Sequence, residues 1–239
     1  MPLVFDPLSE ELLDVPPRRL FPKSAFIMRQ LGAPPKINRA MNAQVVKLFK
    51  SRAITPIDAS DTTGSKDYLE RILGLIRGTG FTVAIFSHET RPSALANIAL
   101  ELGFAAMCGK PLLIIKSPEA TAPSDLKRTD WIDYEEGKRA SFSRKLRQAI
   151  DEVVKLADFE NDLLQTSLEA RSPDCAVALE RANKGFLISG DSHFVAAADR
   201  ILAILDGVEE GDSIADLERL RSEARTFVRQ AKTAALFGS

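Results

Sequence analysis

Apolar positions follow two patterns along the chain. Up to about residue 134, short continuous apolar runs alternate with amphipathic segments of helical length. A short apolar run between turn residues is typical of a strand buried on both faces, and a 3.6-residue period indicates a helix. The runs predict strands at 25–28, 53–58, 81–86, 111–116 and 131–134. The amphipathic segments predict helices at 37–52, 65–76 and 93–107.

This alternation predicts an α/β domain built on a doubly wound parallel sheet with right-handed crossovers. The run at 81–86 is the most strand-like and is expected at the centre, whereas Pro56 makes 53–58 a weaker strand candidate. Ligands of such sheets bind outside the carboxyl ends of the strands. The expected ligand-binding loops are therefore residues 29–32, 59–64, 87–97 and 117–125.

The remainder of the chain is predicted to be helical. Residues 141–170, 195–205 and 214–236 have helical periodicity, and Gly185–Ile188 is one brief strand candidate. Nearby Asp191, Ser192 and His193 lack a nucleophile-elbow motif, so we interpret them as a loop between helices. Three segments follow: an arm (1–22), an α/β domain (23–150) and a helical C-terminal module (151–239).

The formal net charge is −1, but this value hides an asymmetry. Residues 1–150 carry 22 basic and 16 acidic residues, a charge of +6, and residues 151–239 carry 10 and 17, a charge of −7. The total provides no broad basic field for nucleic acid, so nucleic-acid binding is not expected. Two interpretations stay open: a positive half that favours a phosphate-bearing ligand, or uneven but solvated surfaces.

Cysteine and histidine are too sparse for a metal centre. Cys108 and Cys175 form no CxxC pair, and His88 and His193 are far apart, so we expect neither a metal site nor a disulfide framework. A reduced, cytoplasmic compartment fits this cysteine usage. No apolar run is long enough to span a bilayer, so no membrane association is expected.

The most informative segment is the helix that follows the central strand. It is apolar on nearly all sides except at Asn97 and Glu101, which are four residues apart and share one face. A carboxylate among apolar side chains is usually paired or functional, since desolvation raises its pKa. Two explanations of Glu101 stay open: a catalytic carboxylate, or a structural one that caps a neighbouring element or pairs with Arg29.

The order of three pieces resembles a known family. The pieces are Phe26–Gly32, the Asn-x-x-x-Glu-Leu-Gly-x-Ala motif at 97–105, and Gly109-Lys110-Pro111 before an apolar strand. Together they resemble the nucleoside 2-deoxyribosyltransferase-like proteins, which are related in fold to Toll/interleukin receptor (TIR) domains. The resemblance spans residues 23–134, about half of the chain, and no single piece of it is diagnostic.

The resemblance implies a flavodoxin-like sheet whose site acts on the N-glycosidic bond of NAD, a nucleotide or a nucleoside, without a separate cofactor. The Glu of the family motif is the catalytic carboxylate, which corresponds to Glu101. Its substrate-binding neighbours would be Arg29, Gly32, Ser87, His88 and Asn97. Related domains joined to a second module often act in bacterial defence, so we expect the helical module to form homo-oligomers that control activity.

The sequence departs from the family pattern at one position. Family members commonly carry an Asp at the end of the central strand, where this chain has Phe86-Ser87-His88-Glu89. Ser87 is then a candidate donor to a sugar hydroxyl, and His88 or Glu89 a candidate acid. The missing Asp also leaves open a nucleotide sensor without activity, or an assembly domain with a vestigial pocket.

Overall fold

The computed structural model describes residues 19–61, 68–120, 131–170, 174–208 and 214–237, which fall into two compact units. One unit is Ser24–Val153, and the other contains the described parts of Met1–Lys23 and Val154–Ser239. The strands are β1 (Ser24–Arg29), β2 (Thr55–Ile57), β3 (Phe81–Phe86), β4 (Leu112–Lys116) and β5 (Trp131–Asp133). The helices are α1 (Lys36–Ser51), α2 (Tyr68–Gly78), α3 (Pro92–Met107), α4 (Arg139–Glu169), α5 (Cys175–Ser189), α6 (Ser192–Asp206) and α7 (Ile214–Phe237). The arm up to residue 18 and the predicted helix cap at Ser65 lie outside the described residues.

The five strands form one parallel sheet in the order β2-β1-β3-β4-β5. This confirms the predicted doubly wound α/β fold, and the order is the flavodoxin-like one. Every residue of β3 is buried, which explains why its sequence is a continuous apolar run rather than an alternating one. Since chain order reverses between β1 and β3, the carboxyl ends of these two strands border the crevice in which such folds bind ligands.

Strand β2 lies at the edge of the sheet and pairs with β1 alone. Pro56 is opposite Ala25 in that pairing. Proline lacks an N–H donor and is tolerated where one side of the strand has no ladder to complete. The proline that weakens the strand prediction at 53–58 is thus compatible with a strand at the edge of the sheet.

Aromatic contacts fill the core of the sheet unit. Phe49 of α1 packs edge-to-face on Phe81 with ring centroids 5.7 Å apart. Tyr134 packs in the same manner on Phe142 of α4, at 4.9 Å. Each of these rings is almost fully buried, and such burial contributes roughly 2–3 kcal/mol per side chain.

The second unit is helical, as predicted, but its predicted strand is wrong. Gly185–Ile188 is the last part of α5, and all four residues are buried. The loop interpretation of 185–193 is also wrong in part, because Ser192 and His193 begin α6. The connection is Gly190, whose positive φ of 74° ends α5, and Asp191, whose Oδ1 accepts a hydrogen bond from the His193 backbone N–H (3.0 Å) at the start of α6.

The end of the N-terminal arm belongs to the helical unit. Leu20 is buried in the apolar core that α5, α6 and α7 share. The backbone N–H of Lys23 donates to the Leu187 carbonyl at 2.9 Å. In the described part of the chain, no helix is both long and apolar enough to cross a bilayer.

Candidate active site

A cavity of about 200 Å³ lies at the carboxyl end of β1, next to the loop that follows β3. Its walls come from the loop after β1, the turn after β2, the first residue of α2 and the first half of α3. Four of the six residues predicted for the site line it: Arg29, Gly32, Asn97 and Glu101. Residues distant in sequence thus meet at the crevice that the strand order predicts.

Glu101 lies on the buried face of α3 with Ile98, Leu102 and Ala105. The side chain is 9% exposed, and among the described residues it makes no hydrogen bond and no ion pair. Burial raises the pKa of Glu101 to about 7, and the negative charge of Asp58 adds to the effect. Near neutral pH this carboxyl group exchanges between its acid and base forms at little cost.

Arg29, at the end of β1, is paired with Asp58, directly after β2. Arg29 Nη2 donates to Asp58 Oδ2 at 2.6 Å. The alternative in which Arg29 pairs with Glu101 is therefore wrong. The Ser60 backbone N–H donates to Asp58 Oδ1 at 2.9 Å, and the Ser60 hydroxyl donates to the same oxygen.

Two carboxyl groups near one cavity thus have opposite pKa shifts. Burial alone would raise the pKa of Asp58, but the hydrogen bonds from Ser60 and the ion pair with Arg29 outweigh it and hold that pKa below its ordinary value. Asp58 is ionised at neutral pH, whereas Glu101 has no hydrogen-bond donor within the described residues to stabilise its charge. Environments that separate two acid pKa values in this way are typical of acid–base sites.

Gln30 connects the loop after β1 to the loop after β3. It is 3% exposed; its Oε1 accepts from the Arg91 backbone N–H at 3.1 Å, and its Nε2 donates to the carbonyls of Gly32 (3.1 Å) and Ala33 (2.8 Å). The Arg91 side chain also donates to the Gly32 carbonyl at 2.6 Å. Both rims of the cavity are fixed by these contacts.

Tyr68, the first residue of α2, forms a further part of the wall. Partial burial raises the pKa of its phenol, the charge of Glu101 raises it further, and the charge of Arg71 opposes the shift. The phenol is therefore protonated at neutral pH. It offers the cavity a neutral hydroxyl donor.

Ser87 and His88 do not line this cavity. Ser87 is buried in a turn: its backbone N–H donates to Thr90 Oγ1 at 2.8 Å, and its hydroxyl accepts from the Glu89 backbone N–H at 3.3 Å. The His88 ring lies beside β4, with Nδ1 3.1 Å from Ser117 Oγ and 3.6 Å from the Glu119 carboxylate. The end of the central strand therefore contributes no acidic side chain to the cavity wall.

The sequence singles out none of four further residues of the site: Gln30, Asp58, Tyr68 and Arg91. Gln30 and Arg91 lie within the predicted ligand-binding loops, whereas the acidic segment at 58–61 lacks the ligand spacing of a calcium loop and has no other recognisable motif. Its position directly after a strand adjacent to β1 was the signal that would have placed Asp58 beside Arg29. Among the described residues, no group of three or more potential ligands could hold a metal ion.

No protein-family model matches the chain, and no curated protein matches it. The function must therefore follow from the cavity and its residues, because this fold supports many unrelated activities.

Proposed function

We propose that this protein hydrolyses the N-glycosidic bond of NAD or a related nucleotide, with Glu101 as the catalytic carboxylate. The observation that carries the proposal is Glu101 itself: a carboxyl group in the wall of a cavity at the strand-order reversal, buried, without a partner among the described residues, and with a pKa of about 7. Burying such a group without a partner costs stability, and a catalytic role accounts for that cost.

The reaction follows from the charges. The bond between ribose C1′ and the base nitrogen breaks, and the base leaves with the electron pair. The ionised Glu101 carboxylate either stabilises the oxocarbenium-like sugar or bonds to C1′. Water then adds to C1′, displaces the carboxylate where that has bonded, and gives up one proton, so that NAD and water yield ADP-ribose, nicotinamide and a proton.

The neighbours of Glu101 have separate tasks in this scheme. Arg29, held by Asp58, contacts a ribose hydroxyl or a phosphate oxygen. Asn97 lies one helical turn before Glu101 on α3 and lines the same cavity. Its amide forms a hydrogen bond with a sugar hydroxyl. This assignment agrees with the resemblance to the nucleoside 2-deoxyribosyltransferase-like and TIR-like proteins.

The test is base release by the full chain. Purified protein is incubated with NAD, NADP and nucleosides, and the products are separated by chromatography. Glu101→Gln keeps the shape of the side chain and should abolish release. Glu119→Gln, which changes an exposed carboxylate outside the cavity, should leave it unchanged. The proposal fails if the unmodified protein releases no base or if Glu101→Gln is equally active.

A nucleotide sensor without activity is the second candidate. The observation that favours it is the end of β3, where Ser87 is engaged in its own turn and no acidic side chain from this strand end lines the cavity. Calorimetry that detects tight nucleotide binding, combined with chromatography that detects no product, would support this role.

We further propose that the helical unit brings copies of the chain together. Its surface exposes Phe159 of α4 and Leu236 of α7, which are 56% and 77% accessible. Light scattering coupled to size exclusion should detect an oligomer that Phe159→Lys weakens. A monomer at all concentrations would contradict this role.

A further inference from the structure

Arg91 carries a positive charge in the cavity wall that no carboxylate of the described chain compensates. The other charged residues of the wall are Arg29, which is paired with Asp58, and the acidic Glu101. Arg91 is exposed, its Nη2 donates to the Gly32 carbonyl, and its side chain makes no ion pair with any described residue. A guanidinium group has five N–H donors, so most of those of Arg91 stay available to a ligand.

The first turn of α3 adds backbone donors next to Arg91. The helix begins at Pro92 without a side-chain cap, and the Leu95 N–H donates to the Arg91 carbonyl at 2.9 Å. Proline has no N–H, so the free donors of this turn are the N–H groups of Ser93 and Ala94, which have no partner among the described residues. Both residues line the cavity. Such N–H groups and the helix dipole favour a negatively charged ligand.

Glu101 is an independent sign that the cavity takes a ligand, because its side chain lines the cavity, is 9% exposed and is unpaired within the described chain. Its charge also orients that ligand. An ionised Glu101 attracts the sugar as positive charge develops on C1′ and repels an anionic group, which is therefore placed toward Arg91. Ser93 and Glu101 are eight residues apart on α3, about 12 Å along its axis, and helical side chains tilt toward the N-terminus, which shortens this span. The wall thus suits a sugar that carries an anionic substituent.

We propose that Arg91 and the first turn of α3 bind the phosphate group on C5′ of the ribose, so that the enzyme acts on nucleotides and rejects nucleosides. A guanidinium group donates two parallel hydrogen bonds to a phosphate, and the helix N–H groups donate to its remaining oxygens. Arg29, whose charge is compensated by Asp58, is then left to the ribose hydroxyls. This inference rests on the proposed function, since it assigns a substrate group of that reaction to named residues.

The proposal predicts discrimination between nicotinamide mononucleotide and nicotinamide riboside, which differ only by the 5′ phosphate. The full chain should hydrolyse the mononucleotide with a kcat/KM at least about tenfold higher, because the riboside lacks the charge-assisted hydrogen bonds. Arg91→Gln should lower kcat/KM for the mononucleotide about tenfold or more and change that for the riboside little. Arg144→Gln, at an exposed arginine of α4 outside the cavity wall, is the matched control. If Arg91 served only to hold the Gly32 carbonyl, both substrates would be affected alike, and that result would overturn the proposal.

A binding experiment separates this inference from the proposed hydrolysis. Ribose 5-phosphate and ribose, neither of which contains an N-glycosidic bond, are each titrated into the unmodified protein, Arg91→Gln and Glu101→Gln by calorimetry. The expected result is that ribose 5-phosphate binds more tightly than ribose, and that Arg91→Gln removes this preference while Glu101→Gln preserves it. If base is released from mononucleotide and riboside alike and the two sugars bind alike, the phosphate site is overturned and the activity stands. If ribose 5-phosphate binds selectively and no base is released, the site stands without the activity.

Discussion

Arg29 and Asp58 are joined by a 2.6 Å ion pair across the ends of two adjacent parallel strands. The pair has an effect beyond its own stability. It engages the Arg29 guanidinium, which lines the cavity, and the negative charge of Asp58 adds to the burial that raises the pKa of Glu101. The order of β2 and β1 in the sheet thus contributes to the raised pKa of a carboxyl group on α3, in addition to burial.

The first prediction concerns the pH dependence of catalysis. Because the proposed reaction needs ionised Glu101, kcat/KM for NAD should be low at pH 5 and rise with pH through about 7. Asp58→Asn removes the negative charge that raises this pKa, so the midpoint should move to lower pH. Carbon NMR titration of the Glu101 carboxyl group measures the same shift without activity. A midpoint unchanged in Asp58→Asn would contradict the proposed coupling.

The second prediction concerns the contribution of Glu101 to folding stability, which should fall as pH rises while kcat/KM increases. Glu101 has a pKa of about 7 in the folded protein and 4.5 as its ordinary value. Between these values the unfolded chain loses the proton first, so the contribution of Glu101 to folding stability falls as pH rises and is about 3 kcal/mol lower above pH 7 than below pH 4.5.

Replacing Glu101 with Gln removes this penalty. Glu101→Gln should be more stable than the unmodified protein by up to about 3 kcal/mol at pH 8 and equally stable at pH 4. Urea unfolding at the two pH values measures the difference. A gain that is equal at both pH values would show that ionisation is not its origin.

The third prediction concerns the contact of α5 with α6. A Cβ on Gly185 would lie 2.2 Å from the Phe194 ring, which is itself buried. Gly185→Ala should destabilise the helical unit by about 1–3 kcal/mol through overpacking. Gly74→Ala, at a helical glycine with open space around it, should instead stabilise its unit by about 0.5–1 kcal/mol. Thermal unfolding by circular dichroism compares the two, and rescue of Gly185→Ala by Phe194→Leu would locate the clash.

The fourth prediction concerns a buried phenol in the sheet unit. Tyr134 is 1% exposed, and its hydroxyl has no hydrogen-bond partner among the described residues. Tyr134→Phe keeps the edge-to-face contact with Phe142 and removes the unpaired hydroxyl, so it should raise the free energy of unfolding by about 1 kcal/mol. Chemical denaturation provides the measurement. A loss of more than about 1 kcal/mol would indicate that the hydroxyl is paired in solution.

The sheet could be predicted because burial on both faces leaves a direct trace in the sequence. The strand at 81–86 is found at its predicted limits, since its side chains all meet helices or neighbouring strands. The same rule failed at Gly185–Ile188, which is equally apolar but belongs to a helix enclosed by its neighbours. A short apolar run does not distinguish a buried strand from a buried helix turn.

The residues of the candidate site are likewise only partly predictable from the sequence. Glu101 could be predicted because a charged residue within an otherwise apolar helix can be recognised from the sequence alone. Asp58 and Gln30 could not, because polar residues after strands are common and their importance depends on which strands are adjacent.

The contacts of Gln30 with Arg91, Gly32 and Ala33 hold the two rims of the cavity in place before any ligand arrives. A ligand that enters this crevice does not have to order the loops around itself. Binding therefore costs less conformational entropy than it would at mobile loops, and this favours a higher affinity. The shape of the cavity at this end of the sheet is therefore set by the fold itself and does not depend on a ligand.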